Sequence, residues 1–397
     1  MTAFRIPPDQ IRRRLDNLQA RLQADRIDGA LIIQRVDLLY FSGTAQNGCL
    51  YVPSHGDPLL FIKQSLARAL NESPLKNVLR IKSITAVPGL IHDFFRHLPK
   101  NLGLELDVMP VNQYRFIETL FPNRPTTDVS GSILAIRAVK SKWEITQMEH
   151  TAGMSSLTFD YMRKTLREGY TEMEFAGMFE TFARRNGHGG KLRIRDYQME
   201  GYPWHVLSGK SGSMPGVLDS PASGMGTSLA FPCGAGSKKL RAGEPIMVDF
   251  TSVLNGFHMD ETRMFAIGAM PEKAMRASMD AVDIHNFILE NAQPGMTCGA
   301  LFDMALKRAA SLGCTESFLG VPGSKVRFVG HGIGHELVEP PFIARDKQDL
   351  LKPGMAFALE PKLVVENEFT AGVESVFTVT DTGTRLISRV PAEVFIC

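Results

Sequence analysis

The chain has 397 residues, which is long for one hydrophobic core, and we predict two domains. With 44% hydrophobic and 22% charged residues and no biased tract, its composition is typical of a globular protein and excludes a fibrous or disordered one. The net charge of +2 provides no basic field for nucleic acid or an anionic membrane, so we expect a small-molecule partner.

The first residues contain no apolar segment of signal-peptide length, and no later segment approaches the ~20 apolar residues that span a bilayer. Five cysteines are scattered without the paired spacing of a disulfide framework or a zinc ribbon. We therefore expect a cytoplasmic protein in a reducing compartment, with no membrane partner.

The first third of the chain alternates between helical and strand patterns. Asp9 is a candidate helix cap, and the apolar run GALII (29–33) after this helix predicts a strand. CLYVP (49–53) and PLLFIK (58–63) predict two further strands on either side of a Gly-Asp-Pro turn. We predict an α/β domain over residues 1–134.

A second domain is predicted over residues 141–397. It begins with a capping box, Ser141 and Glu144, ahead of apolar residues at helical spacing, and Thr171 with Glu174 repeats this pattern. The short runs PIMVDF, GMAFALE and ESVFTV, rich in apolar and β-branched residues, predict strands between the helices. The domain therefore mixes sheet and helix.

The segment 201–239 differs from the rest, because it is rich in Gly, Ser and Pro and has few periodic apolar residues. We interpret it as a long loop. Loops of this length in compact domains are usually functional or mobile, so we expect it near the mouth of an active site.

Two aspartates lie on a predicted hairpin whose turn is Asn255-Gly256. In a two-residue turn Asp249 faces Thr262, and Asp260 lies two positions from Thr262 on the same face of the strand. The two carboxylates are then diagonal neighbours about 7–8 Å apart at the backbone, which suits shared metal ions. The alternative is that each aspartate ends a strand or binds a nearby amide.

Three more candidate ligands follow. His331 lies between glycines in GHGIGHE, Glu360 ends the apolar run MAFALE, and Glu374 lies inside GVESVFTV. A lone histidine is commonly structural, but buried carboxylates need a cation. Since we find no matching cluster of Lys or Arg beside them, we predict a hard to borderline divalent ion such as Mn, Co, Fe or Zn.

The ordered set of candidate ligands resembles that of the pita-bread metallopeptidases of the aminopeptidase P and prolidase type, to which creatinase is related. The matching segments read VDF, DETR, GHGIG, LEP and GVES. DGALIIQRVDLLYFSG resembles the amino-terminal domain of the creatinase/prolidase branch, and AVKSKWEITQM resembles the start of its catalytic domain. The resemblance implies a creatinase-like α/β domain followed by an α+β pita-bread catalytic domain.

The resemblance also implies a two-metal mechanism. Asp249 would chelate one divalent ion, His331 and Glu360 the other, and Asp260 with Glu374 would bridge the two ions, with manganese, cobalt, iron or zinc as the metal. A hydroxide held between the ions would attack the scissile carbonyl, and Glu360 would relay a proton to the leaving amine.

Several positions depart from the family pattern. Val338 stands where relatives have a second histidine; Glu339 after it is retained, and His335 lies four residues after the predicted ligand. We treat His335 and Glu339 as candidate catalytic residues, and His335 also as a candidate substrate contact. Cys233 replaces the histidine of a Pro-His-Gly segment, where it would contact substrate, and Gly372 replaces an arginine.

These departures weaken the prediction of Xaa-Pro cleavage more than the prediction of metal-dependent catalysis. His205 in GYPWHVLSG is a candidate replacement contact, and we expect weak activity on simple Xaa-Pro dipeptides. The first hypothesis is an Xaa-Pro aminopeptidase or dipeptidase that forms a homodimer. The first alternative is a metal-dependent hydrolase or lyase that acts on a small non-peptide amino-acid derivative; creatinase and a sulfonium-compound lyase are examples of such enzymes with this fold. The second alternative is a non-catalytic binding protein.

Overall fold

A computed structural model describes residues 4–196 and 204–397 of the chain. The chain divides into two compact units, Met1–Arg137 and Ala138–Cys397. Among the described residues, no helix combines the length and the apolar character needed to cross a membrane.

The first unit is a mixed sheet with helices. Its strands are β1 (Gly29–Ile32), β2 (Gly48–Pro53), β3 (Leu59–Ile62), β4 (Val78–Arg80), β5 (Leu102–Leu104) and β6 (Thr126–Asp128), in the order β4-β3-β2-β1-β5-β6. Its helices are α1 (Pro8–Ala24), α2 (Arg35–Ser42), α3 (Leu66–Glu72), α4 (Val87–Phe95), α5 (Val111–Leu120) and α6 (Ser130–Ala138), and Ile84–Ala86 is a short 3-10 turn. The predicted α/β class is confirmed.

The predicted start of the first helix is wrong by two residues. Pro7 occupies the N-cap of α1 and Pro8 its first helical position, while Asp9 lies inside the first turn. Proline is favoured at that position because its missing N–H would have no partner inside the helix. Asp9 still places a negative charge near the positive end of the helix dipole.

The second unit contains two larger sheets and one strand pair. Its strands are β7 (Trp204–Ser208), β8 (Ile246–Leu254), β9 (Phe257–Ala266), β10 (Phe328–Gly332), β11 (Glu339–Ala344), β12 (Ala356–Leu359), β13 (Lys362–Val365), β14 (Phe369–Gly372), β15 (Ser375–Val379), β16 (Thr384–Leu386) and β17 (Val394–Ile396). The sheets are ordered β17-β9-β8-β7 and β11-β10-β12-β15-β16, and β13 pairs with β14. The helices are α7 (Lys142–Thr165), α8 (Glu172–Arg185), α9 (Glu272–Asn291) and α10 (Cys298–Ser311), and Gly209–Ser213 is a 3-10 turn.

Both predicted capping boxes are present. The Ser141 hydroxyl accepts a hydrogen bond from the Glu144 amide while the Glu144 carboxylate accepts one from the Ser141 amide. Thr171 and Glu174 make the same reciprocal pair at the start of α8. The capping boxes of α7 and α8 thus satisfy backbone N–H groups that have no carbonyl partner within the helix.

Helices cover the sheets on their apolar faces. Phe159 of α7 and Phe179 of α8 pack with Phe250 of β8 in one buried cluster. Residues of α9 and α10 pack in another cluster with β12 and β15, including Phe302 and Phe357. Asp249 and Thr251 of β8, Asp260 of β9 and His331 of β10 line the cavity described below.

The predicted loop 201–239 contains regular structure. Residues 204–208 form β7, which pairs antiparallel with β8, and residues 201–203 lie outside the described residues. The prediction of a continuous loop is therefore wrong over β7, which the Gly- and Pro-rich neighbours on each side concealed. Residues 214–239 carry neither a helix nor a strand ladder.

Candidate metal centre

The hairpin of β8 and β9 has the register predicted from its turn. Asp249 faces Thr262 and Thr251 faces Asp260, so the two aspartates are diagonal neighbours. The Thr251 hydroxyl donates to Asp260 Oδ1 over 2.8 Å and fixes the orientation of that carboxylate. Both aspartates line a cavity of about 570 Å³.

His331 reaches this cavity from β10. Its neighbour Gly330 lies so close to β12 that a Cβ atom there would be 2.4 Å from the Ala358 carbonyl oxygen, which explains one glycine of the motif. His331 Nδ1 lies 3.0 Å from the Gly332 carbonyl oxygen, which accepts only from a protonated nitrogen. His331 Nε2 faces Glu360 Oε1, 3.7 Å away, and Asp260 Oδ2, 4.0 Å away, and the neutral ring with its proton on Nδ1 presents a lone pair to that space.

Glu360 and Glu374 flank the strand pair β12 and β15. Glu374 joins the two sheets through a β-bridge to Thr262, whose hydroxyl also donates to Glu374 Oε2 over 2.9 Å. Both glutamates are buried and line the cavity. The five predicted metal ligands thus reach one cavity from four segments of the second unit.

Three of these residues form a set that fits one metal ion. Asp260, His331 and Glu374 each offer a ligand atom, and these atoms lie within 4.8 Å of one another. One imidazole and two carboxyl groups, all buried, face each other in this set. This donor set suits a borderline divalent ion.

A single basic side chain, Lys362, lies among the carboxylates, beside which the sequence shows no matching cluster of Lys or Arg. Its Nζ donates to Glu360 Oε2 over 2.8 Å and to Asp249 Oδ2 over 2.9 Å, and it lies 3.4 Å from Glu374 Oε2. Its side chain is 2% exposed. Lys362 lies two positions after Glu360 and its side chain lines the same cavity, so its position beside a candidate ligand was the one signal of it in the sequence.

The charges in the cavity are unevenly balanced. Burial alone would raise the pKa of Asp249, but Lys362 holds it below its ordinary value. Burial raises the pKa of Asp260 and of Glu374 well above ordinary values, and the neighbouring carboxylates raise it further. The ionised forms of Asp260 and Glu374, the two carboxyl groups of the three-residue set, therefore lack a sufficient counter-charge.

His205 lies beside the carboxylates on β7. It pairs in register with Asp249, lines the cavity, and is buried, which lowers its pKa. Its Nδ1 has no hydrogen-bond partner among the described residues. A buried polar atom of this kind in a cavity wall is available to a ligand.

Sequence comparison identifies the family. The profile of metallopeptidase family M24 matches residues 146–381, and the profile of the creatinase/prolidase amino-terminal domain matches residues 14–139. The chain belongs to metallopeptidase family M24. It is therefore a peptidase of a metal-dependent family with a creatinase-like amino-terminal domain, as predicted.

Individual relatives cover nearly the whole chain. An Xaa-Pro dipeptidase of Pyrococcus furiosus is 22% identical over 387 residues, which are 97% of this chain and 100% of the relative. An Xaa-Pro dipeptidase from Bacillus anthracis has a TM-score of 0.83 at 19% identity, covering 98% of this chain and 100% of that one. The prolidase from Pyrococcus horikoshii OT3 has a TM-score of 0.80 at 19% identity, covering 96% and 99%. These solved structures have the same M24 fold.

Other predicted site residues of this M24 protein lie apart from the cavity. His335 packs against the ring of Phe257 at 4.3 Å, and its Nε2 lies 3.9 Å from Glu144 Oε1. Glu339 accepts a hydrogen bond from the Glu336 amide over 2.9 Å and pairs with Lys140 at 3.4 Å. Neither residue lines the cavity formed by the described residues.

Cys233 is also buried and absent from the lining of the described cavity, so its position does not support a substrate contact. Val338, in contrast, lines the cavity. The wall around it is apolar, and three cationic side chains that sequence reasoning did not single out line the same cavity. They are Lys325, Arg327 and Lys347.

Proposed function

We propose that this M24 member hydrolyses short peptides at a divalent metal site formed by Asp260, His331 and Glu374. The observation that carries the proposal is the convergence of these three ligand atoms in one cavity, where His331 Nε2 lies 4.0 Å from Asp260 Oδ2. A divalent ion at such a site polarises a carbonyl and lowers the pKa of a bound water.

The side chains around the site have separate tasks in this proposal. Glu360 Oε1 faces the ligand set while Glu360 Oε2 is held by Lys362, so the carboxylate is oriented to carry a proton to the leaving amine. His205 presents an unpaired ring nitrogen to the substrate. Thr251 and Thr262 keep the carboxylates of Asp260 and Glu374 in place.

The cavity suggests a substrate with a free carboxylate. The apolar wall at Val338 accepts a side chain, and the cations Lys325, Arg327 and Lys347 favour a negatively charged end group. Dipeptides have this character, and the relative from Pyrococcus furiosus is an Xaa-Pro dipeptidase. We propose a dipeptide or similarly small peptide, and we keep weak activity on simple Xaa-Pro dipeptides as the expectation because Val338 and Gly372 replace residues that relatives use.

A reaction on a small non-peptide amino-acid derivative is the second candidate. It is favoured by Lys362, which changes the charge at the centre of the site. The metal identity, the homodimer and the cytoplasmic location stay predictions.

A substrate panel tests the proposal. The protein is incubated with Mn or Co and with Xaa-Pro dipeptides, Xaa-non-Pro dipeptides and their C-terminal amides, and cleavage is followed by mass spectrometry. We expect cleavage of some free dipeptides and slower cleavage of the matching amides. If no peptide is cleaved while small cyclic or N-substituted amino acids are converted, the second candidate replaces the first.

A further inference from the structure

We infer that the ammonium group of Lys362 takes the place of one of the two metal ions that the family pattern implies, so that the protein binds a single divalent ion per chain. The inference rests on the proposed metal site and specifies how many ions that site holds. The ion that is replaced is the one that Asp249 would chelate, and the ion that remains lies at Asp260, His331 and Glu374.

The lysine uses its full hydrogen-bonding capacity on the carboxylates. An ammonium group has three N–H donors, and Nζ faces Glu360 Oε2 at 2.8 Å, Asp249 Oδ2 at 2.9 Å and Glu374 Oε2 at 3.4 Å. A metal ion at this place would bind the same oxygens. The ammonium group of Lys362 therefore fills the space between these carboxylates and neutralises part of their charge.

The backbone prevents Lys362 from leaving this position easily. Its carbonyl oxygen accepts a hydrogen bond from the Leu319 amide over 2.9 Å, and its residue pairs with Gly372 across β13 and β14. A Cβ atom at Gly372 would lie 2.6 Å from Lys362 Cγ. Gly372, which stands where relatives have an arginine, thus provides the space through which the lysine stem passes.

The glycine at position 372 and the position of Lys362 are therefore linked. An arginine side chain at position 372 would collide with Lys362 at its first carbon, so the two side chains exclude each other in this backbone arrangement. The positive charge is carried by Lys362 on β13 and not by position 372 on β14, and its Nζ lies among the carboxylates.

The remaining ligands are sufficient for one ion. Asp260 takes no hydrogen bond from Lys362 among the described contacts and is oriented instead by Thr251. His331 Nε2 faces Asp260 Oδ2. Glu360 binds Lys362 through Oε2, so its other oxygen, Oε1, faces His331. The ammonium group and one divalent ion together carry three positive charges, one fewer than the four negative charges of the ionised carboxylates.

Ion counting tests the inference. Metal-stripped protein is titrated with Mn²⁺, bound ions are counted by elemental analysis, and electron paramagnetic resonance distinguishes an isolated Mn²⁺ from a coupled pair. We expect one isolated ion per chain in the unmodified protein and two coupled ions in Lys362→Met, because the neutral side chain frees Asp249 and Glu360. Lys273→Met is the matched control, since Lys273 pairs with Glu368 on the exposed surface, and it should keep one ion.

Three results would overturn the inference. They are two ions per chain in the unmodified protein, one ion in folded Lys362→Met, and a Lys362→Met protein that fails to fold even with Mn²⁺ present, since a second ion should compensate for the lost charge. Failure of the proposed peptidase function is a separate result. It appears as absent peptide cleavage, whatever number of ions is bound.

Discussion

At the scale of single residues, neighbouring groups orient the side chains of the candidate metal centre. Thr251 holds Asp260, Thr262 holds Glu374, and the Gly332 carbonyl fixes the ring of His331. Such supporting contacts keep ligands in one orientation and typically change metal affinity 10- to 100-fold when lost. Replacing a ligand itself should have a larger effect.

Asp260→Asn is expected to lower peptide turnover by more than about 100-fold and to weaken metal binding, because the amide keeps the shape of the carboxylate but not its charge. Turnover and metal content of the purified variant measure this. Asp283→Asn, which affects a surface pair with Arg308, is the control and should change neither quantity. Unchanged metal content in Asp260→Asn would show that Asp260 is not a ligand.

His285 on α9 should make the stability of the protein depend on pH. Burial, with a smaller contribution from Arg263, lowers its pKa from 6.5 to about 4. Between these values the unfolded chain binds a proton that the folded protein does not, so stability is lost as the pH falls from 6.5 to 4. The loss amounts to about 3 kcal/mol, from about 1.4 kcal/mol per pKa unit.

His285→Leu removes this titration. Urea unfolding of the metal-free protein at pH 7 and at pH 4.5 should show a loss that is about 2–3 kcal/mol smaller in His285→Leu than in the unmodified protein. Metal-free protein is used so that release of metal at low pH does not contribute. An equal loss in both proteins would mean that another group causes the pH dependence.

At the scale of elements, the hairpin was the most predictable part of the site. Asn255-Gly256 fixes a two-residue turn, and a turn of known length fixes which residues face each other, so the pairing of Asp249 with Thr262 followed from the sequence. The two capping boxes were equally predictable because their partners are three residues apart.

Contacts between distant segments were not predictable in this way. β7 was missed because its five residues lie between segments rich in Gly and Pro, and its strand character depends on pairing with β8. Lys362 was missed for a related reason. Its Nζ meets Asp249, 113 positions away, only because β13 lies beside the hairpin in the folded chain.

The family resemblance explains why the ligand set could nevertheless be named. Asp249, Asp260, His331, Glu360 and Glu374 were assigned together by their order in the chain, and all of them line one cavity. The same resemblance gave weaker guidance about substrate contacts. Position 335 was chosen by its distance along the sequence from His331, and the fold instead buries His335 against Phe257.

At the scale of the whole molecule, the chain combines a creatinase-like unit with an M24 unit whose cavity holds the candidate metal site. The described residues that line this cavity belong to the M24 unit, residues 138–397. We propose that this cavity is a metal-dependent peptidase site.

Turnover of the best peptide before and after removal of metal tests this claim most directly. The protein is dialysed against a chelator, its metal content is checked, and cleavage is measured as Mn²⁺ is added back. We predict no turnover in the metal-free protein and full recovery at about one equivalent of ion per chain, the number inferred from Lys362. Cleavage at the full rate by protein without metal would contradict the account.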